Sequence, residues 1–164
     1  MPKGSDQLTG TGGTYYVMAQ LALRGYHASC TFGNAPFVDI LVAAPDGAKS
    51  VSLQVKTASD ARRWRGRGDA RVVNQLQWTL GHRLAKHARP GLFYAFVDLK
   101  SLGQGEVPDV YVVPSAWTKA YCASWVDSVK WARLHVSPKD MAQFKNNWDR
   151  IKETLSADDD HDPG

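Results

Sequence analysis

Two short runs of alternating residues constrain this chain more than anything else in it. From Phe37 to Ala44 (FVDILVAA) and from Lys49 to Lys56 (KSVSLQVK), apolar side chains fall on every second position, and Pro45-Asp46-Gly47-Ala48 lies between the runs. A period of two marks a strand with one buried face, and a Pro-Asp-Gly turn between two such runs signals a hairpin. With a four-residue loop Ala44 faces Lys49, so Val42 meets Val51, Ile40 meets Leu53 and Val38 meets Val55. Each of these last three pairs is apolar, and a slip of one residue would turn the whole set to the wrong face.

On the opposite face the same register sets Asp39 against Gln54, with Cβ atoms about 5 Å apart, and Lys56 on the diagonal at about 7–8 Å. Ser52, Gln54 and Lys56 share that face by the period of two. Asp39, the Gln54 amide oxygen and the Val55 carbonyl would offer a divalent cation hard oxygen ligands of the kind Mg²⁺ takes. Lys56 would stand where it can steady an attacking hydroxide or the charge on phosphorus, which is the arrangement of metal-assisted phosphodiester hydrolysis. The same side chains also suit the solvent face of a half-exposed hairpin with an incidental Asp-Lys pair of little energetic weight. Spacing alone leaves both readings open.

Along the rest of the chain, Thr14 to Arg24 has helical spacing and stops at Gly25; Tyr26 to Phe32 suits a strand, followed by a turn at Gly33-Asn34-Ala35-Pro36. Ala58 to Arg71 is polar and reads as a connection, and Asn74 to Ala88 reads as a helix through Leu76, Leu80 and Leu84. Leu92 to Leu99 is apolar on both faces, as a central strand requires, and Asp98 at its end suits a hydrogen bond to a nearby backbone amide better than a metal. A loop to Pro108, a strand from Asp109 to Val113 and a helix from Ala116 to Val126 come next. Ser137-Pro138 then caps a helical stretch carrying Phe144, Trp148, Ile151 and Leu155. Trp78, Trp117, Trp125, Trp131 and Trp148 read as packing anchors. The expectation is one α/β domain over residues 1–156, with a mixed central sheet flanked by helices.

Charge suggests a partner. The chain carries +4 overall, and removing the four carboxylates of its last eight residues leaves a body of +8. Such a body favours polyanions, while residues 157–164 read as an acidic, disordered tail. Five arginines, Arg62, Arg63, Arg65, Arg67 and Arg71, surround Trp64, a composition suited to phosphate contacts and base stacking, or simply to a solvated loop. Arg83 and Lys86 suit a solvated helix face better than a substrate groove. Cys30 and Cys122 stand far apart, so neither a zinc knuckle nor a disulfide framework is expected, and the five histidines have no ligand spacing. With a polar opening and no long apolar run, a cytoplasmic location away from membranes is expected.

The segments Gly25-Tyr26, PFVDILV and SLQVKT resemble the core of PD-(D/E)XK nucleases, in the branch whose second motif is Gln-x-Lys. The resemblance covers Gly13 to Thr57, and FYAFVDL and PDVYVVPS look like the later strands of small bacterial and phage members of that superfamily. It implies a restriction-endonuclease-like core and a Mg²⁺- or Mn²⁺-dependent DNA endonuclease. Asp39, Gln54 and Lys56 would be its catalytic residues, and Asp39, Gln54 and Val55 its metal ligands. DNA would lie along Arg62, Arg63, Trp64, Arg65, Arg67 and Arg71, and a homodimer is one assembly in view. One departure stands out: where the family's first helix often offers a glutamate, this chain has Thr14. With Gln54 also neutral, the site would carry one formal negative charge. That leaves two alternatives, an inactive nuclease-fold protein that binds nucleic acid and a protein-interaction module.

Overall fold

The computed structural model describes residues 5–31, 37–102 and 105–157. The turn expected at 33–36 and the acidic residues from 158 onward lie outside these. Helix α1 (Ser5–Ala22) begins nine residues before the expected start, because its glycines look like coil in the sequence. Gly13 has a packing reason to be there: a Cβ at this position would stand 1.9 Å from Thr57 Oγ1, so the helix lies directly on the strand beneath it.

Strands β1 (His27–Cys30), β2 (Ile40–Ala43) and β3 (Ser50–Ala58) form an antiparallel meander. The β2–β3 register pairs Ile40 with Leu53 and Val42 with Val51, as the apolar matching requires. The turn between them closes by Gly47 N–H to Ala44 O at 2.8 Å, with Gly47 at a φ of 72° that favours glycine. β2 is shorter than expected. Pairing stops at Ile40, so Val38 and Asp39 are not part of the ladder.

The polar connection and the helix expected over 74–88 are both corrected. Residues 62–79 form a second hairpin of β4 (Arg62–Arg65) and β5 (Val72–Thr79), and only α2 (His82–Ala85) is helical beyond it. Leu76, Leu80 and Leu84 have helical spacing, but Leu76, Trp78 and Leu80 have strand spacing, and it is these three that are buried. β6 (Leu92–Asp98), buried at all seven positions, runs parallel to β3, and β7 (Asp109–Pro114) pairs antiparallel with it. α3 (Ser115–Cys122) stops short of the expected Val126, and β8 (Arg133–Val136) joins the edge of β5. Ser137 caps α4 (Pro138–Met141) by accepting the Asp140 N–H, and α5 (Asp149–Ser156) follows.

The result is a mixed α/β molecule with a central sheet in the order β1-β2-β3-β6-β7 and a second sheet in the order β4-β5-β8. Helices α1 and α5 cover one face, where Val17, Leu21, Trp148 and Ile151 pack on Ile40, Leu53, Ala95 and Val112. The second sheet covers the other face, with Leu76, Trp78 and Leu134 against Tyr94, Phe96 and Tyr111, and the Trp78 indole donating to Val97 O at 2.9 Å. Trp131 is no packing anchor. It is 72% exposed.

Candidate active site

β3 runs five residues past the last β2 pair, from Gln54 to Ala58, and this leaves a notch in the central sheet. Along β3, backbone groups alternate between its two neighbours. The Ser52 N–H points toward the start of β6, where it meets Gly91 O, and the Leu53 carbonyl points to the other side, where it accepts the Asp39 N–H at 2.8 Å. Val55 N–H, on the same side as Leu53, has no strand partner there. It donates instead to Asp39 Oδ2 at 2.7 Å. The Asp39 carboxylate thus closes the ladder that β2 abandons.

The same oxygen accepts a short hydrogen bond from Gln54 Nε2, and Nε2 also lies 3.5 Å from the Val55 carbonyl oxygen. The Gln54 amide nitrogen, partly positive, therefore sits between two oxygens. Lys56 lines the same cleft. Burial pushes the Asp39 carboxyl above its ordinary 3.8, although Val55 N–H, the Lys56 charge and the Gln54 amide all favour the carboxylate. The same desolvation draws Lys56 below its ordinary 10.5, opposed by Asp39. Opposite charges are thus held where each alone is disfavoured, a pattern concentrated at functional sites.

The cleft, about 440 Å³, has Asp39, Gln54, Val55 and Lys56 on the sheet side and the first turns of α1 as its wall. Thr14 lines it without a carboxylate, its hydroxyl donating to Gly10 O at 3.1 Å. Asp6 lines it too, a carboxylate that sequence reasoning missed. The signal for it is the stripe Asp6-Gly10-Thr14 at intervals of four, visible only once the helix is known to start at Ser5. Gln54 and Lys56 also face a second cleft of about 460 Å³ bounded by Phe37, His82 and Arg83. Asp98 takes the Ala61 and Lys100 N–H groups at 2.9 and 3.0 Å, a loop-fixing role.

The arginines expected to act together are divided by the second hairpin. Arg62 is turned inward, bound to Asp60 at 3.0 Å and Glu106 at 2.8 Å with 16% of its side chain exposed, and these acids hold its pKa far above the ordinary value. Arg63 donates to Gln77 Oε1 at 2.8 Å, and Arg71 packs on the Trp64 ring at 4.8 Å. Arg65 and Arg67 are exposed at the hairpin's end. Lys86 forms a short ion pair with Asp127.

Among the described residues no group of three or more His, Cys, Asp or Glu is placed to hold a metal, so any metal would depend on mixed oxygen donors. No helix among them is long and apolar enough to cross a membrane. No family model matches the chain, and no curated protein matches it. Among solved structures, a bacterial homing endonuclease is similar in fold, with a TM-score of 0.56 over 93% of this chain and 96% of that one, at 12% identity. The likeness is one of fold: a mixed α/β architecture built on a central mixed sheet.

Proposed function

We propose that this chain is a DNA endonuclease of the PD-(D/E)XK type that hydrolyses phosphodiester bonds with Mg²⁺ or Mn²⁺, acting as one cytoplasmic domain over residues 1–156. The observation that carries the reading is the convergence of Asp39, Gln54, Val55 and Lys56 at the notch where β2 leaves β3. The donor set fits a hard cation. Gln54 Nε2 sits between Asp39 Oδ2 and Val55 O, and turning the amide over replaces that N–H with a third oxygen. Bound there, the ion supplies Lewis-acid polarisation of the scissile phosphate. Lys56, with its proton loosened by burial, orients the attacking water and offsets charge growing on phosphorus. The exposed Arg65 and Arg67, with Arg63 and Arg71 beside them, hold phosphates away from the cut.

A specific observation favours a second reading. Asp39 is the one carboxylate bonded into this donor set, and Gln54 already satisfies it, as a nucleic-acid-binding protein without hydrolysis would allow. Incubating the purified protein with linear, branched and single-stranded DNA in Mg²⁺, Mn²⁺ or EDTA, beside Lys56→Ala, decides between them. Metal-dependent cleavage lost in Lys56→Ala is expected. No cleavage of any form by the wild type would leave the binding protein standing.

A further inference from the structure

The outer face of the second sheet carries features that hydrolysis at the notch does not use; only Arg63 is shared with the phosphate contacts proposed above. Because Leu76, Trp78, Leu134 and Val136 point inward, the alternate residues of β5 and β8 point out. Gln77 pairs there with His135 and Thr79 with Arg133, while Arg63 reaches across from β4 to Gln77. Beyond β8 this face opens into a cleft of about 550 Å³ lined by Tyr121, Trp125, Trp131, Arg133 and His135, with no acidic side chain in its wall. Trp131, at 72% exposure, stands out as bare aromatic surface.

The face is positively charged where it matters. Burial lowers the His135 pKa first, and the charges of Arg133 and Arg63 lower it further. Arg133 also borders a neighbouring cleft of about 520 Å³ that contains Arg63 together with Asp60, which is paired to Arg62, and reaches Asp6, and Asp6 in turn borders the Asp39 cleft. Aromatic planes, guanidiniums and amide side chains are therefore laid along one continuous surface that ends beside the notch.

We infer that this face binds single-stranded nucleic acid, with unstacked bases on Trp131 and Trp125 and phosphates along Arg133 and Arg63. Accessible indole rings next to guanidiniums that form no ion pair among the described residues are what single strands use, since every base has a face to stack and every nucleotide a charge to neutralise. A duplex keeps its bases stacked on one another and has no use for Trp131. A protein partner would have to bring its own acids to Arg133 and Arg63, whereas a single strand carries a phosphate at every nucleotide. The inference rests on residues other than Asp39, Gln54 and Lys56, so it stands or falls apart from the hydrolysis reading.

Fluorescence anisotropy with labelled oligo(dT), oligo(rU) and a duplex of equal length, about twelve nucleotides to fit one platform, tests it. EDTA is present throughout, so that no cleavage intrudes. The wild type is expected to bind a single strand more tightly than the duplex, with the preferred sugar identifying DNA or RNA. Trp131→Ala is expected to weaken that binding about tenfold, Trp131→Phe to restore most of it, and Arg133→Ala to reduce the salt slope by about 0.7. Both side chains are exposed, and unchanged circular dichroism confirms that the variants fold. Duplex binding as tight as single-strand binding, or an unchanged Kd in Trp131→Ala, would overturn the inference. So would the absence of any single-strand binding in EDTA by a protein that still cleaves DNA in Mg²⁺, and that outcome would leave the hydrolysis reading intact.

Discussion

Asp39 is held in a place that penalises its charge, and the sign of that penalty can be tested. Its pKa is raised by burial, so the folded chain binds this proton more tightly than the unfolded chain does. The ionised group then lowers stability above the raised pKa, and the loss disappears below the ordinary 3.8. Asp39→Asn, with its amide oxygen in the place of Oδ2, keeps an acceptor for both Val55 N–H and Gln54 Nε2. The variant is expected to melt above the wild type near neutral pH, to lose this advantage as the pH falls toward 3.8, and to lose metal-dependent cleavage. Equal melting temperatures at all pH values would mean that Lys56 fully compensates the carboxylate. Gln54→Glu carries the opposite expectation. Without metal, a second carboxylate beside Asp39 is repelled, and the variant should melt below the wild type in EDTA. With Mg²⁺ it gains a charged ligand, so its melting temperature should rise with Mg²⁺ more steeply than the wild type's, because ligand stabilisation grows with the ratio of concentration to Kd. A smaller Mg²⁺ response than the wild type's would remove Gln54 from the metal site.

At the scale of elements, α1 and the arginine hairpin each carry an expectation. No neighbour lies within 4 Å of a Cβ built on Gly12, whereas one on Gly13 meets Thr57 at 1.9 Å. Gly12→Ala is expected to stabilise by about 0.5–1 kcal/mol through helix propensity, and Gly13→Ala to destabilise by about 1–3 kcal/mol through overpacking, both read by urea denaturation. In the hairpin, Arg62→Ala strands Asp60 and Glu106 and should cost about 1–2 kcal/mol. Arg65→Ala with Arg67→Ala should leave stability within about 0.5 kcal/mol and flatten the salt dependence of DNA binding. An unchanged salt slope would return those two arginines to solvent. The first hairpin was legible in the sequence because two alternating runs had to match each other, which leaves little freedom. The second was not, since Leu76 belongs to a helical series with Leu80 and Leu84 and to a strand series with Trp78 and Leu80. Only the inner faces of Tyr94 and Phe96 decide between them. Asp39 and Gln54 were legible for the same reason as their hairpin. Asp6 was hidden by the glycines that follow it, and β8 by its length of four residues.

In the whole molecule, β3 is joined to its neighbours on very different terms. Toward β2 its partners lie one tight turn away. Toward β6 they lie forty positions on, Ser52 against Leu92. Closing the longer loop costs more chain entropy, though the cost grows only with the logarithm of length, and the β4–β5 hairpin within the loop shortens the gap by forming locally. Order of assembly follows: the turn at Pro45–Ala48 brings its strands together early, and the parallel seam sets the pace. Substitutions at Val42 and Val51 are then expected to slow refolding, with φ-values above about 0.5, while Ala95→Gly and Val97→Ala act mainly on the unfolding rate. Stopped-flow refolding in urea gives both limbs, and low φ at Val42 and Val51 would reverse the order. On this route Asp39 and Gln54 meet while most of the chain is still a coil, and the surfaces that later enclose them fold onto a pair that has already formed.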